Sequence, residues 1–241
     1  MLVMNSFRYF LIAGIAFIIF YLLLRSSISD NKIQGAFPKQ KDYIREVGYS
    51  MITIIIFVLI GLLIYATPFQ ELTLRYNLIE EHGWFYWLLS ILAMIFMHDT
   101  YFYWTHRAMH HPRVFRYFHK VHHDSINPSP WASYAFHPLE GVVEASIIFP
   151  IVLLVPHHTS ALIVFLFFMM TYNVYGHLGW ELYPRGFQQT WIGKWINTSV
   201  NHNQHHKHFY GNYGLYFLFW DRWLGTIRLD YDKEFDRITS K

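Results

Sequence analysis

Cysteine is absent from this chain. No disulfide, cysteine-ligated zinc site, iron–sulfur cluster or thiolate nucleophile is available to it, so any bound metal must be held by nitrogen and oxygen. Charge is scarce as well. Asp, Glu, Lys and Arg make up 15% of the residues, against about 25% in ordinary soluble domains. Hydrophobic residues reach 54% of 241, and the two departures together point to a bilayer. A formal charge of +3 with no dense basic patch gives no footing for nucleic acid. The chain also lacks internal repeats, low-complexity tracts and separable linkers, and it is long enough to bury a substantial core.

What is present begins with apolar runs. Phe7–Leu24 approaches the roughly 20 residues needed to span a membrane. It exceeds a signal-peptide apolar core, and Leu23-Leu24-Arg25 is not a small-residue cleavage site. Met51–Ala66 is nearly pure Ile, Leu, Val and Phe. Trp84–Met97 starts a third span and runs on into His98-Asp99-Thr100-Tyr101 without a breaker. Val142–Val155 and Ala161–Tyr175, separated by Pro156-His157-His158-Thr159, read as a helical hairpin dipping through the bilayer. The expected fold class is an all-α integral membrane protein with about four transmembrane helices or hairpins and a histidine-rich helical cap. Residues 1–97 form the N-terminal transmembrane part, with Ser26–Tyr49 as an interfacial loop, and residues 98–241 form the catalytic region.

Lys and Arg placement orients the spans. Arg25, Lys32, Lys39, Lys41 and Arg45 follow the first span, and Arg107, Arg113, Arg116 and Lys120 follow the third. The loop after the second has Arg75 with Glu71, Glu80 and Glu81. All assignments agree when the first loop, the histidine clusters and the C-terminus are cytosolic.

Fifteen of the sixteen histidines lie between His98 and His208. Three clusters stand out: His106 and His110, then His119, His122 and His123, then His202, His205 and His206. No Pro or Gly falls between Trp84 and His111, so one long helix can carry His106 and His110 on one face. Asp99 is two turns earlier on that stripe, where a carboxylate can accept the second N–H of a ligating imidazole. His98 points about 100° away by the helical period, which makes it an auxiliary group beside the site. After a break at Pro112, each of the other two clusters occupies positions i, i+3 and i+4 of a helix. Imidazole is the commonest metal-ligating side chain. Eight of them exceed the need of one ion, so two metals with three to five imidazoles each fit better. Ligand type leaves Zn, Cu, Fe and Ni open. His82, His157 and His158 fall in loops and read as hydrogen-bonded structural residues.

Two other functions remain open from the residues. A metal transporter would place ionisable ligands near the bilayer midplane, whereas Phe7–Leu24, Met51–Ala66 and Ala161–Thr171 carry no His, Asp or Glu. A zinc-dependent membrane hydrolase would need a general base, and no HExxH sequence supplies one.

These motifs resemble the fatty acid hydroxylase/sterol desaturase superfamily of integral membrane di-iron enzymes, most of all its sterol 4-methyl oxidase-type branch and bacterial relatives. The resemblance runs from about His98 to Thr226. It includes the boxes HxxxH, HxxHH and HxxHH in order, with a membrane hairpin between the second and third. It also includes Asp99-Thr100, Ala135-Phe136-His137-Pro138-Leu139-Glu140, Gly211-Asn212-Tyr213-Gly214 and Trp220-Asp221-Arg222. It implies two iron ions that activate O₂ against an unactivated C–H bond of a lipid such as a sterol or fatty acyl chain, hydroxylating or desaturating it. His106, His110, His119, His122, His123, His202, His205 and His206 become ligands, and His177 becomes a further one. His137 matches a histidine of the sterol branch and ranks as auxiliary. Members that hydroxylate sphingolipid acyl chains carry a histidine pair where this chain has Asn173 and His177, which argues against that activity. Zinc is an expected substitute in purified protein.

The chain carries no haem, flavin or ferredoxin-like domain, so electrons come from a separate donor such as a cytochrome b5-like protein or ferredoxin. A basic tail can dock an acidic carrier, although a solvated positive-inside face explains it better. Short loops, and no retrieval signal in Thr239-Ser240-Lys241, favour a bacterial inner membrane over endoplasmic reticulum.

Overall fold

The computed structural model describes residues 1–240; Lys241, the end of the C-terminal sequence considered above, lies outside them. Among the described residues, four helices are long and apolar enough to cross a membrane. The first is α1 (Leu2–Phe17), continued by a π-helical stretch, Ile18–Leu23. Next come α2 (Gln40–Tyr65) and α3 (Gly83–Met109). The one-turn α4 (Lys120–His123) is followed by α5 (Pro138–Ser146) and α6 (Ile148–Leu154). The fourth span is α7 (Thr159–Gly176), and α8 (Ser199–His208) and α9 (Tyr231–Thr239) complete the cap. A two-residue parallel pairing joins β1 (Arg75–Tyr76) to β2 (His157–His158). This is the expected all-α membrane architecture.

The spans turn large apolar side chains outward, among them Leu59, Phe85, Leu88 and Ile15, as a lipid-facing surface requires. Their inner faces pack into two clusters. Met94, Ile95 and Phe102 of α3 meet Ile151 of α6 and Phe165 of α7. Tyr9 and Ala13 of α1 meet Ile54, Tyr134, Phe136 and Met170. Lipid tails are as apolar as leucine, so such contacts gain little from excluding water, and polar ties between helices carry more weight. Three converge on one turn, Pro130–Tyr134. Tyr9 Oη donates to Trp131 O at 2.9 Å, Ser50 Oγ donates to the same oxygen at 3.0 Å, and Asn173 Nδ2 donates to Ser133 O at 2.8 Å. The chain between the second histidine box and α5 is thereby fixed from α1, α2 and α7.

Three boundaries differ from the sequence reading. Ser26–Tyr49 is not a loop throughout, because α2 begins at Gln40, where Asp42 Oδ2 accepts the Lys39 N–H at 3.0 Å. The apolar stretch marks the part in lipid, while the helix runs on past it. Its extension carries Glu46, whose carboxylate accepts from Ser125 Oγ at 2.8 Å and from Ser129 Oγ. The Val142–Val155 arm is two short helices meeting at Ile147. Pro150 has no N–H to offer the Ser146 carbonyl and crowds it, so this arm kinks, and only α7 is long enough to span. The first span starts earlier than expected, at Leu2. The expected long helix with His106 and His110 is α3, with His110 as its C-cap.

Candidate metal centre

Helical geometry sorts the histidines. In an HxxHH sequence the first and last residues are four apart and share a stripe, while the middle one is about 100° from the last. The second and third boxes, brought together, exchange their middle members. His119 and His123 join His106, His110 and His205 in one group of five, and His122 joins His177, His202 and His206 in a group of four. All nine residues expected as ligands fall into these two groups. All are buried except His110, which is half-buried.

The ring nitrogens face one another at close range. In the group of five, His106 and His119 Nε2 stand 2.9 Å apart, His123 and His205 Nε2 3.0 Å, and His110 Nε2 lies 3.1 Å from each of those two. In the group of four, His177 Nε2 lies 3.1 Å from His206, 3.2 Å from His202 and 3.3 Å from His122.

The far side of the rings decides what those contacts mean. His106 Nδ1–H donates to Tyr213 O at 2.9 Å, His177 to Asn173 O at 2.7 Å, His205 to Gly211 O at 2.8 Å and His206 to Ser125 O at 3.0 Å. A carbonyl only accepts, so each of these rings carries its proton on Nδ1 and presents a bare lone pair at Nε2. His177 and His206 therefore aim lone pair at lone pair. Burial lowers the affinity of these rings for a second proton, to about pKa 4 for His177 and well below the usual histidine range for His202, His205 and His206. Facing acceptors without protons repel unless a cation lies between them. Imidazoles bound to one metal at about 2.0–2.1 Å in adjacent positions stand about 3 Å apart, which is the spacing seen. The donor set fits two metal ions.

His119 has a different anchor. Its Nδ1 lies 2.6 Å from Oε1 of Glu140, and both groups are buried. A carboxylate behind a ligating imidazole fixes the ring and strengthens it as a donor. Sequence reasoning gave that part to Asp99, and the structure corrects it. Asp99 Oδ1 accepts the backbone N–H groups of Tyr216 at 2.7 Å and Phe217 at 3.2 Å, and touches no ligand ring. Position on the right stripe of α3 was not enough, because the 213–217 segment lies against that stripe and claims the carboxylate. His98 likewise meets this segment, its Nδ1 lying 2.8 Å from Tyr216 Oη. His137 caps α5, its Nδ1 accepting the Leu139 N–H at 3.2 Å. It acts on the centre only by starting the helix that carries Glu140. His157 and His158 are structural, as expected, with His157 Nδ1 bonded to Val155 O and His158 capping α7.

The missed residues are Glu140 and the backbone acceptors. Glu140 had a visible signal, an acid at the head of an apolar arm that also carries Glu144. Tyr213 O and Gly211 O had none, since every residue has a carbonyl. That loop is held by Asp221, whose carboxylate accepts from Tyr213 N at 2.9 Å, Gly214 N at 2.7 Å and Thr226 Oγ1 at 2.7 Å. Phe136 packs on His122, Phe209 on His123 and Tyr213 on His110, with ring centroids 5.1, 4.9 and 5.2 Å apart. These rings shield the centre from water. Asn173, at the position of the missing histidine, turns its amide to Ser133 O, which leaves the second group with four nitrogens.

The chain is 33% identical over 185 residues to a Delta(7)-sterol 5(6)-desaturase of Gibberella zeae, covering 76% of this chain and 55% of that protein. It is 34% identical over 149 residues to lathosterol oxidase of Homo sapiens, covering 61% of this chain and 48% of that one. The chain spans about half the length of the relatives it matches. No solved structure matches it. The fatty acid hydroxylase family model matches residues 91–226, a stretch that holds all nine clustered histidines together with Glu140 and Asp221. The chain belongs to the fatty acid hydroxylase family, within the fatty acid hydroxylase/sterol desaturase superfamily.

Proposed function

We propose that this protein is a membrane-bound di-iron oxidoreductase that uses O₂ to hydroxylate or desaturate an unactivated C–H bond of a lipid, with residues 98–241 as its catalytic region. The observation that carries the reading is the pair of facing imidazole groups, five and four strong, in which His177 and His206 aim protonless Nε2 atoms at each other. Five nitrogens exceed the four-coordinate habit of structural zinc and the three protein ligands of catalytic zinc, and imidazole suits iron. Sterol desaturation by the relatives supports a lipid as substrate. When bound, the iron pair supplies the one-electron chemistry and O₂ activation that no side chain performs.

The chain's own residues do the rest. His106, His110, His119, His123 and His205 would hold one ion, and His122, His177, His202 and His206 the other. Backbone carbonyls keep the ring protons of His106, His177, His205 and His206 on the far nitrogens, and Glu140 anchors His119. Phe136, Phe209 and Tyr213 exclude water, which protects a reactive oxidant from side reactions. Electrons arrive from a separate carrier, a cytochrome b5-like protein or ferredoxin, at the cytosolic face where the clusters and the C-terminus lie. A bacterial inner membrane remains the favoured location.

The test is metal content per polypeptide after extraction from iron-replete cells, with Mössbauer spectra. About two irons per chain with a coupled signature is the expected result. Zinc recovered alone calls for iron reconstitution, because zinc displaces iron during overexpression. Failure to form a coupled pair after reconstitution sinks the proposal.

A further inference from the structure

The cap exposes large apolar side chains where it lies beside α3. Trp191 is 79% exposed, Ile192 60% and Trp223 65%, with Leu224 next to it. A surface in water rarely gathers such residues without a partner. The outer face of α9 shows the contrast. Its exposed positions, Asp232, Lys233 and Arg237, are all charged, while Tyr231, Phe235 and Ile238 are buried.

Packing fixes the level of the patch. The one-turn helix Phe219–Trp223 lies along α3. Phe219 stacks on Phe96 with ring centroids 5.6 Å apart, and Trp220 meets Trp104 at 5.7 Å and Tyr103 at 6.0 Å. Trp220 Nε1 also donates to Thr100 Oγ1 at 3.3 Å. Counted from Gly83, Phe96 stands about 20 Å along α3 and Trp104 about 32 Å. A hydrocarbon core about 30 Å thick puts Phe96 inside it and Trp104 at its cap-side edge. A helix that rests on both lies at the edge of the lipid. Phe96 and Trp104 are themselves exposed, so the patch continues the lipid-facing surface of α3. The turn Gly193–Trp195 is tied to the same helix, with Leu218 N–H donating to Trp195 O at 2.8 Å and the Trp195 and Trp223 rings 6.4 Å apart.

Charge fits the same partner. Lys194 and Arg222 precede Trp195 and Trp223 in the chain, and Arg222 Nε donates to Lys194 O. Among the described residues neither joins an ion pair. Tryptophan beside Lys or Arg is the composition of a membrane–water boundary, where anionic lipid groups attract such cations.

We propose that residues 191–195 and 219–224 form a platform seated in the bilayer boundary, with Trp191, Ile192 and Trp223 among the acyl chains and Lys194 and Arg222 at lipid phosphates. The inference rests only on the membrane helices and is independent of any lipid oxidation. It gives the cap a fixed side toward the bilayer, because the platform continues from the loop held by Asp221 whose Tyr213 carbonyl anchors His106.

The chain has no cysteine, so one introduced cysteine is a unique label site. Trp191→Cys, Ile192→Cys and Trp223→Cys are spin-labelled on the full chain in phosphatidylcholine/phosphatidylglycerol nanodiscs. Leu92→Cys on α3 and Lys233→Cys on α9 serve as references for lipid and water. Power saturation reads collision with O₂, which concentrates in lipid, and with a nickel chelate, which stays in water. The platform labels should lie about 5–10 Å below the phosphates, with O₂-to-nickel ratios several-fold above Lys233→Cys and below Leu92→Cys. Ratios equal to Lys233→Cys place the platform in water and overturn the proposal. Poor access to both reagents marks a protein contact, a second copy of the chain included, and overturns it as well. The unsubstituted protein gives an independent reading. Phosphatidylcholine with an acyl-chain diazirine should label the tryptic peptide 186–194 on illumination. Labelling of α3 without that peptide overturns the proposal with no variant needed.

Discussion

His119 Nδ1 and Glu140 Oε1 lie 2.6 Å apart, joining the second histidine box to the first turn of α5. This is the one side-chain carboxylate found behind a clustered imidazole among the described residues; the other ring anchors are backbone carbonyls. Removing it should loosen the group of five. Glu140→Ala is expected to weaken metal retention there by about 10–100-fold, the usual effect of losing such a partner. Glu140→Gln, which still offers a carbonyl oxygen, should lose less. Metal remaining after graded chelator treatment measures both, and unchanged retention in Glu140→Ala would remove Glu140 from the centre.

The exchange of middle histidines between boxes gives a second expectation. His202→Ala leaves three imidazoles in its group and His205→Ala leaves four in the other. Each variant should drop metal content from about two ions per chain to about one, His202→Ala more completely because fewer donors remain. Elemental mass spectrometry on the purified variants reads this directly. Loss of both ions from either variant would show one inseparable cluster instead of two sites.

Asp221 touches no clustered histidine, yet it accepts three hydrogen bonds that hold the loop whose Tyr213 carbonyl anchors His106. Asp221→Ala strands two buried backbone N–H groups. A destabilisation of about 3 kcal/mol is expected, together with metal loss from the group of five before the group of four. Thermal melting paired with metal analysis tests it. A variant that melts as wild type would show that the loop holds itself.

Acid should undo the metal-free protein through its histidines. Burial keeps His119, His122, His123, His202, His205 and His206 well below the ordinary histidine range and His177 at about 4. In the unfolded chain such rings titrate near about 6.5. Between those limits the unfolded chain binds more protons than the folded one, so stability rises with pH across the window. It is fully present above about 6.5 and is lost as pH falls toward about 4. The melting midpoint of metal-stripped protein in detergent should fall through that range. A midpoint that held steady on acidification would mean the rings accept protons without unfolding.

Much of this was legible in the residues. Four of the five apolar runs gave the spans because a bilayer demands length and hydrophobicity and little else. The fifth, Val142–Val155, is broken at Ile147 and too short. The spacing of the boxes singled out eight of the nine histidines that cluster, since i, i+3 and i+4 are fixed consequences of the helical turn, and the resemblance added His177. Helix ends were less legible. Polar residues from Gln40 to Tyr49 resemble a loop by hydropathy, yet α2 extends through them because Asp42 caps it and Glu46 finds serine donors across the chain. The Asp99 reading failed for a related cause. Spacing along α3 places a carboxylate on a stripe but does not say which segment will pack there, and Tyr216 and Phe217 took it.

The sequence by itself determined the donor chemistry: eight imidazoles at box spacing, no thiolate, and apolar runs long enough to span. Local periodicity is enough for that, because it is set within one turn of backbone. Only the tertiary structure decided which donors share an ion, which carbonyls hold their protons away, and that Glu140 faces His119. Those are matches between segments far apart in the chain, and they exist only once packing has brought the segments together.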